Sequence, residues 1–382
     1  MLLKNSLYKL QIVFLLFTSI FLNAQSNFEI SSPESQGFSS EKLILLNQAM
    51  HSYVDNNELS AIQTAIVKNG KLIHFDSYGS SDISENNALK SDDIFRIASM
   101  TKPIVSLALM KLYEEGKFKL NDPVYKYIPE FKNLTVKKRK KTKPVKNHVK
   151  VIDLLRHSAG LNFKGPEDYR KVINMNLEEY TKDAAKTPLK FEPGTTWWYS
   201  SSTDICGYLI EVLSGQKLDV FLKKNIFDPL KMDDTFFELP KNKIDRLTTL
   251  YVVGENKELV SFDNKSNSPF KDKVILLNGS GGLLSTTEDY LKFSVMLLNN
   301  GFSNGEQIIK AINAPPIKDQ LNPDKNKTNR PDRATINPVP RSGCRATRIK
   351  AIKINTNEMM ISLGWIGSLL SKRKFAKNIG KA

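Results

Sequence analysis

Ser99 and Lys102 stand three positions apart at the start of a strongly apolar stretch. Residues with this spacing lie on one face of a helix, so the hydroxyl and the amine can meet. A serine hydroxyl is a weak nucleophile that needs an adjacent base, and a lysine amine serves if burial or a nearby cation keeps it neutral. The spacing alone is common, and an N-cap serine beside a surface lysine is the alternative. The pair therefore predicts nucleophilic catalysis only with support from other features.

Tyr199 is a second residue with suitable chemistry, because it precedes Ser200 and Ser201 just before another apolar stretch. A phenol close to a lysine can exchange protons with a serine or with a leaving group. The alternative is a core aromatic beside Trp197 and Trp198. A catalytic role for the phenol requires a fold that brings it to Ser99.

The segments around these residues predict the elements that position them. The run Ile104–Met110 is almost wholly apolar and predicts a buried helix, with Ser99 at or near its N-terminus. Two β-rich runs flank Asn69 and Gly70 and predict a hairpin with a tight primed turn. Further helices are predicted at Val151–Leu155, over Ile205–Leu213 before a Ser214-Gly215 cap, and from a capping box at Thr286 through Leu298.

Four segments in this order resemble the motifs of the serine β-lactamase-like hydrolases. The nearest branch comprises class C β-lactamases, D,D-peptidases and related esterases. The resemblance spans roughly three quarters of the chain. The segments are FRIASMTK at Phe95–Lys102, DLLRHSAGL at Asp153–Leu161, EPGTTWWYSS at Glu192–Ser201 and GGLLST at Gly281–Thr286.

The resemblance implies a role for each candidate residue. Ser99 is the acylated nucleophile, Lys102 is its base, and Tyr199 is a proton relay that helps to form and break the acyl-enzyme. The backbone N–H of Ser99 supplies half of an oxyanion hole, and His157 is a structural turn residue. The implied α+β fold has an antiparallel sheet flanked by helices and an all-helical region, with the site between them. No metal or organic cofactor is implied.

Two departures from the family pattern bear on activity. The family usually has Asn two positions after the tyrosine, where this chain has Ser201 in a substrate-binding position. A serine side chain is shorter than that of Asn and is less able to reach an amide group of the substrate, which favours esters over penicillins. The third family motif, Lys-Thr-Gly or His/Trp-x-Gly, should follow the Gly281 segment. Its nearest candidate is Gly364-Trp365-Ile366-Gly367, and no clear strand and helix pattern surrounds it.

The composition of the chain changes after residue 311. Residues 312–382 contain 15 Lys and Arg against 4 Asp and Glu, whereas the first 311 residues contain 41 against 36. Only Ile349–Ile354 in this tail has a strand pattern. We therefore predict a hydrolase domain over residues 25–311 and an atypical basic tail over 312–382, either a disordered extension or the product of a frameshift. Translation of the other reading frames around codon 311 tests the frameshift.

The net charge of +16 does not predict nucleic-acid binding, because most of it lies in the tail. The other basic run, Lys137–Lys143, contains no aromatic residue on which a base could stack. The two cysteines and four histidines form no metal-ligand spacing. The start, Met1–Ala24, has basic residues, a short apolar centre and a final small residue, and predicts a signal peptide with periplasmic or secreted localisation. Its apolar run is too short for a stable membrane span, and an uncleaved N-terminal anchor is the alternative.

Other interpretations lead to different sites. Gly301–Gly305 matches the G-x-S-x-G letters of an α/β-hydrolase, but it follows a predicted helix and reads as a turn. A Ser-His-Asp triad that uses His157 has no supporting partner. A catalytically impaired penicillin-binding-like protein is the alternative from another functional class. Among small-molecule substrates, the sequence leaves esters, β-lactams and D-amino-acid peptides open.

Overall fold

The computed structural model describes residues 28–139, 141–162, 171–310 and 359–362. Its strands are β1 (Glu29–Ile30), β2 (Ala61–Lys68), β3 (Lys71–Asp82), β4 (Asn87–Ala88), β5 (Phe95–Arg96), β6 (Thr135–Lys138), β7 (Lys141–Pro144), β8 (Leu250–Val253), β9 (Leu259–Asp263), β10 (Leu284–Ser285), β11 (Phe302–Ser303), β12 (Glu306–Gln307) and β13 (Met359–Ser362).

Its α-helices are α1 (Ser40–Asp55), α2 (Thr101–Glu114), α3 (Val151–Leu155), α4 (Leu177–Lys186), α5 (Ser202–Ser214), α6 (Leu218–Leu222), α7 (Asp228–Leu230) and α8 (Thr287–Leu298). Short 3-10 turns lie at Glu34–Gln36, Ala98–Met100, Val124–Lys126, Pro129–Phe131, Lys241–Arg246 and Pro269–Lys271, and a π-helical turn lies at Lys223–Phe227.

The central sheet has the order β1-β3-β2-β13, and β4 pairs with β3. The β2–β3 hairpin turns at Asn69 and Gly70, which have φ of 51° and 76°. Positive φ at both positions is the backbone of a primed turn, so the predicted hairpin is confirmed. The predicted antiparallel arrangement holds for the β2–β3, β3–β4 and β2–β13 pairs. It is wrong for β1, which pairs with β3 in parallel.

The helical region surrounds α2 and α5, which pack against each other. Ile104 and Leu109 on α2, like Ile205 and Leu209 on α5, are almost inaccessible to solvent. Because α2 is apolar on several faces, it is stable only inside such a core, as its composition predicts. The shorter helices α3, α4 and α6 cover α5. Two further helices, α1 and α8, pack against the central sheet, which yields the predicted α+β architecture.

The tail supplies the strand β13, whose backbone pairs with β2 from Met359 opposite Val67 to Ser362 opposite Thr64. The sequence did not predict this strand. The candidate strand Ile349–Ile354, Cys344, the loose third-motif match at residues 364–367 and the predicted signal peptide all lie outside the described residues. Within the described ranges, no helix is long and apolar enough to cross a bilayer.

Candidate active site

Ser99 lies in the short 3-10 turn Ala98–Met100, which leads directly into α2. Its side chain is exposed, whereas Lys102, in the first turn of α2, is only 9% exposed. The Nζ of Lys102 donates a hydrogen bond to Ser99 Oγ over 3.2 Å. The structure therefore joins the two side chains that the spacing predicts to meet.

The chain reaches Ser99 through a sharp bend at Ala98, whose φ is +42°. This left-handed backbone is unfavourable for a residue with a Cβ, so neighbouring contacts must hold it. Two such contacts come from the GGLLST segment. Ile97 N donates to Leu283 O over 3.1 Å, and Leu283 N donates to Thr101 Oγ1 over 3.1 Å. The short β5–β10 pair continues this connection, which fixes the nucleophile turn against a segment far away in the sequence.

Tyr199 reaches the same serine from another part of the chain. Its phenol donates to Ser99 Oγ over 2.6 Å, and its ring lies 4.6 Å from the Nζ of Lys102. The Tyr199 side chain is 36% exposed, so the shared Ser99 oxygen opens towards solvent. Two groups able to accept or return a proton thus contact one hydroxyl oxygen. The geometry suits covalent catalysis by the serine, and the individual roles remain predictions.

The turn at His157 holds Tyr199 in position. His157 has φ of +55°, as expected for a turn residue, and its carbonyl oxygen accepts a hydrogen bond from Trp198 N over 2.9 Å. Its ring lies 4.9 Å from the Tyr199 ring, centroid to centroid. The hydrogen bonds that the structure gives to its side chain involve Ser200, not Ser99. This arrangement gives no support to a Ser-His-Asp triad.

The pKa of His157 also depends on the charge of the site. Burial lowers its pKa below the ordinary 6.5, and the positive charge of Lys102 lowers the pKa further. Both effects favour the neutral imidazole. The ring is therefore an uncharged support for the phenol near neutral pH.

Three residues that the sequence analysis did not identify hold Lys102 in position. Its Nζ donates to Ser280 O over 2.6 Å. Ser280 N in turn donates to Asp204 Oδ1 and to Asn278 Oδ1, each over 2.9 Å. We call Asp204, Asn278 and Ser280 the Ser280 support.

Asp204 is the unusual member of the Ser280 support, because its carboxyl group lies in the interior of the protein. Burial raises its pKa to about 6, against the opposing effects of Ser280 hydrogen bonds and of Lys102. Gly279 allows this contact, because a Cβ there would lie 2.6 Å from Thr203 O. One sequence signal was available. Asp204, five positions after Tyr199, directly precedes the apolar stretch that begins at Ile205, and a carboxyl group at the start of a buried helix needs compensation.

Ser201, the predicted substrate-binding residue, lies at the N-cap of α5 and is only 8% exposed. Its side chain hydrogen-bonds that of Tyr180, a buried phenol on α4. The predicted contact with substrate is untested. The G-x-S-x-G match at Gly301–Gly305 spans the β11–β12 hairpin, with positive φ at Asn304 and Gly305. It is not a turn between a strand and a helix, so the α/β-hydrolase interpretation is wrong.

The described ranges contain no group of three or more His, Cys, Asp or Glu side chains that could hold a metal ion. The Lys137–Lys143 run, of which residue 140 is not described, lies mainly on the exposed hairpin β6–β7.

Comparison with known proteins identifies the family of the chain. The family model named Beta-lactamase matches residues 46–331, which is well over half of the sequence. This chain belongs to the beta-lactamase family. The match continues 20 residues beyond the boundary predicted at residue 311.

Named relatives divide between two kinds of substrate. Esterase EstB of Burkholderia gladioli is 29% identical over 184 residues, which cover 45% of this chain and 45% of EstB. A provisionally named D-alanyl-D-alanine carboxypeptidase of Escherichia coli strain K12 is 27% identical over 317 residues, or 75% of this chain and 70% of that protein. Together with the family match, these relatives indicate a hydrolase of the β-lactamase and esterase type.

A solved structure supports the fold independently. EstCE1, described as a hydrolase with promiscuous acyltransferase activity, superposes with a TM-score of 0.60 at 22% identity. The superposition covers 70% of this chain and 75% of EstCE1. The predicted fold, of the β-lactamase and penicillin-binding-protein type, is confirmed.

Proposed function

We propose that this protein is a serine hydrolase that forms an acyl-enzyme on Ser99 and prefers carboxylic esters. One observation carries the proposal. The exposed Oγ of Ser99 accepts hydrogen bonds from Lys102 Nζ at 3.2 Å and from Tyr199 OH at 2.6 Å. A nucleophile within reach of two proton-transferring groups is the arrangement that covalent acyl transfer needs.

The proposed reaction has two stages. In acylation, Lys102 in its uncharged form accepts the proton of the Ser99 hydroxyl, and Oγ forms a bond to the substrate carbonyl carbon. The oxyanion formed there accepts a hydrogen bond from the backbone N–H of Ser99. The bond to the alcohol then breaks, and Tyr199 relays a proton to the leaving oxygen. In deacylation, water gives a proton to the same groups and attacks the acyl carbon on Ser99. The bond from this carbon to Oγ then breaks, the proton returns to Oγ, and the carboxylic acid leaves.

The preference for esters rests on the position two residues after the tyrosine. Ser201 is buried and hydrogen-bonded to Tyr180, so its side chain offers little to an amide group in the site. An ester has no amide N–H that requires an acceptor. The name of EstB agrees with this preference, whereas that of the Escherichia coli relative keeps peptide substrates as the competing possibility.

We further propose that the protein is exported, because residues 1–24 have the pattern of a cleavable signal peptide. Fractionation of cells that express the full chain tests this proposal. A periplasmic or secreted product that begins at residue 25 supports it, and an uncleaved product in the cytoplasm contradicts it.

Turnover of p-nitrophenyl butyrate and of nitrocefin by the full chain tests the chemistry. We expect a burst of p-nitrophenol, faster turnover of the ester than of the β-lactam, and loss of both activities in Ser99→Ala. A fluorescent acylating probe should label the wild-type protein and not the variant. A correctly folded wild-type protein that shows neither label nor turnover would instead be the impaired penicillin-binding-like protein.

A further inference from the structure

The Ser280 support lies at a junction between three parts of the chain. Ser280 follows Gly279 in the glycine-rich segment, Asp204 lies in the first turn of α5, and Lys102 lies in the first turn of α2. One residue, Ser280, contacts both others through its backbone: its carbonyl oxygen accepts from Lys102 Nζ and its N–H donates to Asp204 Oδ1. A displacement of Ser280 would therefore move the lysine relative to the serine.

Lys102 depends on this contact because it has few others. Within the described ranges, its hydrogen bonds go to Ser99 Oγ and Ser280 O, and no carboxylate lies within ion-pair distance. A four-carbon side chain has considerable rotational freedom, so two fixed acceptors are needed to hold its amine. Ser280 O, at 2.6 Å, is the nearer of the two.

Burial of the Asp204 carboxyl group has a free-energy cost that a purely structural residue could avoid. An ionised carboxylate deep in a protein must be compensated by hydrogen bonds or by a cation. Within the described ranges, no lysine or arginine forms an ion pair with Asp204. Its compensation comes instead from Ser280 and Tyr180, and from the charge of Lys102 at longer range. This carboxylate thus faces the reactive lysine through one intervening residue.

We propose that Asp204 is a positioning residue for Lys102, acting through Ser280. Its carboxylate holds the Ser280 N–H, which orients the Ser280 carbonyl and keeps the amine at 3.2 Å from Ser99 Oγ. Its negative charge also stabilises the ammonium group that Lys102 becomes when it accepts the Ser99 proton. The inference rests on the proposed acyl-enzyme chemistry and adds a residue that does not touch the substrate.

The test is burst kinetics of the full chain with p-nitrophenyl butyrate. The burst amplitude counts active sites, and the burst rate constant reports acylation at each site. For Asp204→Asn, which keeps the shape and removes the charge, we expect an acylation rate constant about 10-fold lower. For Asp204→Ala, which also removes one of the two acceptors of Ser280 N–H, we expect a loss of about 100-fold or more. The substrate dissociation constant, obtained from the dependence of the burst rate constant on substrate concentration, should change little in both variants.

Asp93→Asn is the matched control. Asp93 is 3% exposed, burial raises its pKa to about 6, and it accepts a hydrogen bond from Lys90 N. Its substitution removes a similarly buried charge outside the site. We expect its acylation rate constant to equal that of the wild-type protein, whatever its effect on stability.

The outcomes separate the two proposals. If the wild-type protein shows no burst, the proposed function fails. If the wild-type protein shows a burst, and both Asp204 variants keep its rate constant within threefold while only the amplitude or the melting temperature falls, then Asp204 is merely structural and the inference is overturned. An equal loss of rate constant in Asp93→Asn also overturns it.

Discussion

Two buried basic side chains, those of Arg96 and Lys102, lie six residues apart on the chain and have different surroundings. The side chain of Arg96 is 8% exposed, and its partner Asp263 is 10% exposed. Arg96 Nε donates to Asp263 Oδ2 over 2.6 Å, and Nη2 donates to Oδ1 of the same carboxylate. A further bond runs from Nη1 to Thr248 O over 2.6 Å. The guanidinium charge is therefore fully paired.

Lys102 is buried to a similar degree but has only uncharged oxygens, of Ser99 and Ser280, as hydrogen-bond partners within the described ranges. A compensating carboxylate, that of Asp204, acts through Ser280. The difference teaches how burial can serve two ends. A bidentate pair fixes a permanent charge and stabilises the fold, whereas the Lys102 amine, among neutral acceptors, contacts the oxygen of the nucleophile.

The largest effect that we expect from this comparison is on catalysis. In Lys102→Arg the group stays charged and cannot accept a proton, and in Lys102→Met no base remains. The acylation rate constant with p-nitrophenyl butyrate should fall about 1,000-fold or more in both. Arg96→Lys, which keeps a cation beside Asp263, is the control and should retain the wild-type rate constant. Retained turnover in Lys102→Met removes the lysine from the mechanism.

The second expected effect is on stability. Here the substitution of Arg96 should have the larger effect and that of Lys102 the smaller one, which reverses the order expected for catalysis. Arg96→Met leaves Asp263 buried without its partner, which should lower the free energy of unfolding by about 3–5 kcal/mol. Lys102→Met removes a buried amine whose hydrogen-bond acceptors are neutral, and Asp204 keeps its hydrogen bond from Ser280 N, so we expect a change of about 1 kcal/mol or less. Urea denaturation of the three proteins measures both values. Equal losses would mean that the two cations are equally structural.

The smallest expected effect is on the titration of His157, whose pKa is lowered by burial and by the charge of Lys102. The Lys102→Met substitution removes the second cause, so the pKa should move back towards 6.5, whereas Arg96→Met should not move it. NMR titration of the His157 ring protons measures the shift. If the pKa is unchanged in Lys102→Met, the amine next to the imidazole carries no charge in the resting protein.

The sign of the accompanying stability change follows from proton linkage. Because the pKa of His157 is lower in the folded protein, the unfolded chain binds more protons as the pH falls below about 6.5. Stability is therefore lost from that pH down to the folded-state pKa and is constant below it. In Lys102→Met the two values lie closer together, and the acid loss of stability due to His157 should be smaller.

The sequence predicted the local elements of the fold well. The hairpin at Asn69 and Gly70 and the helix that follows Ser99 depend on neighbouring residues, and both were confirmed. Other parts could not be predicted in this way. The parallel pairing of β1 and the strand β13 depend on partners far away in the chain, and neither has a strong pattern of its own.

The sequence by itself determined which residues could react, because Ser99 and Lys102 share one helical turn whatever surrounds them. Only the tertiary structure decided what makes them a site. It brings Tyr199 to Ser99 across 100 residues and Ser280 to Lys102 across 178 residues. Hydrogen bonds between such distant segments form only when the core packs, so no local periodicity encodes them. The clearest case is Asp204, whose buried carboxyl group is connected to the lysine only through Ser280.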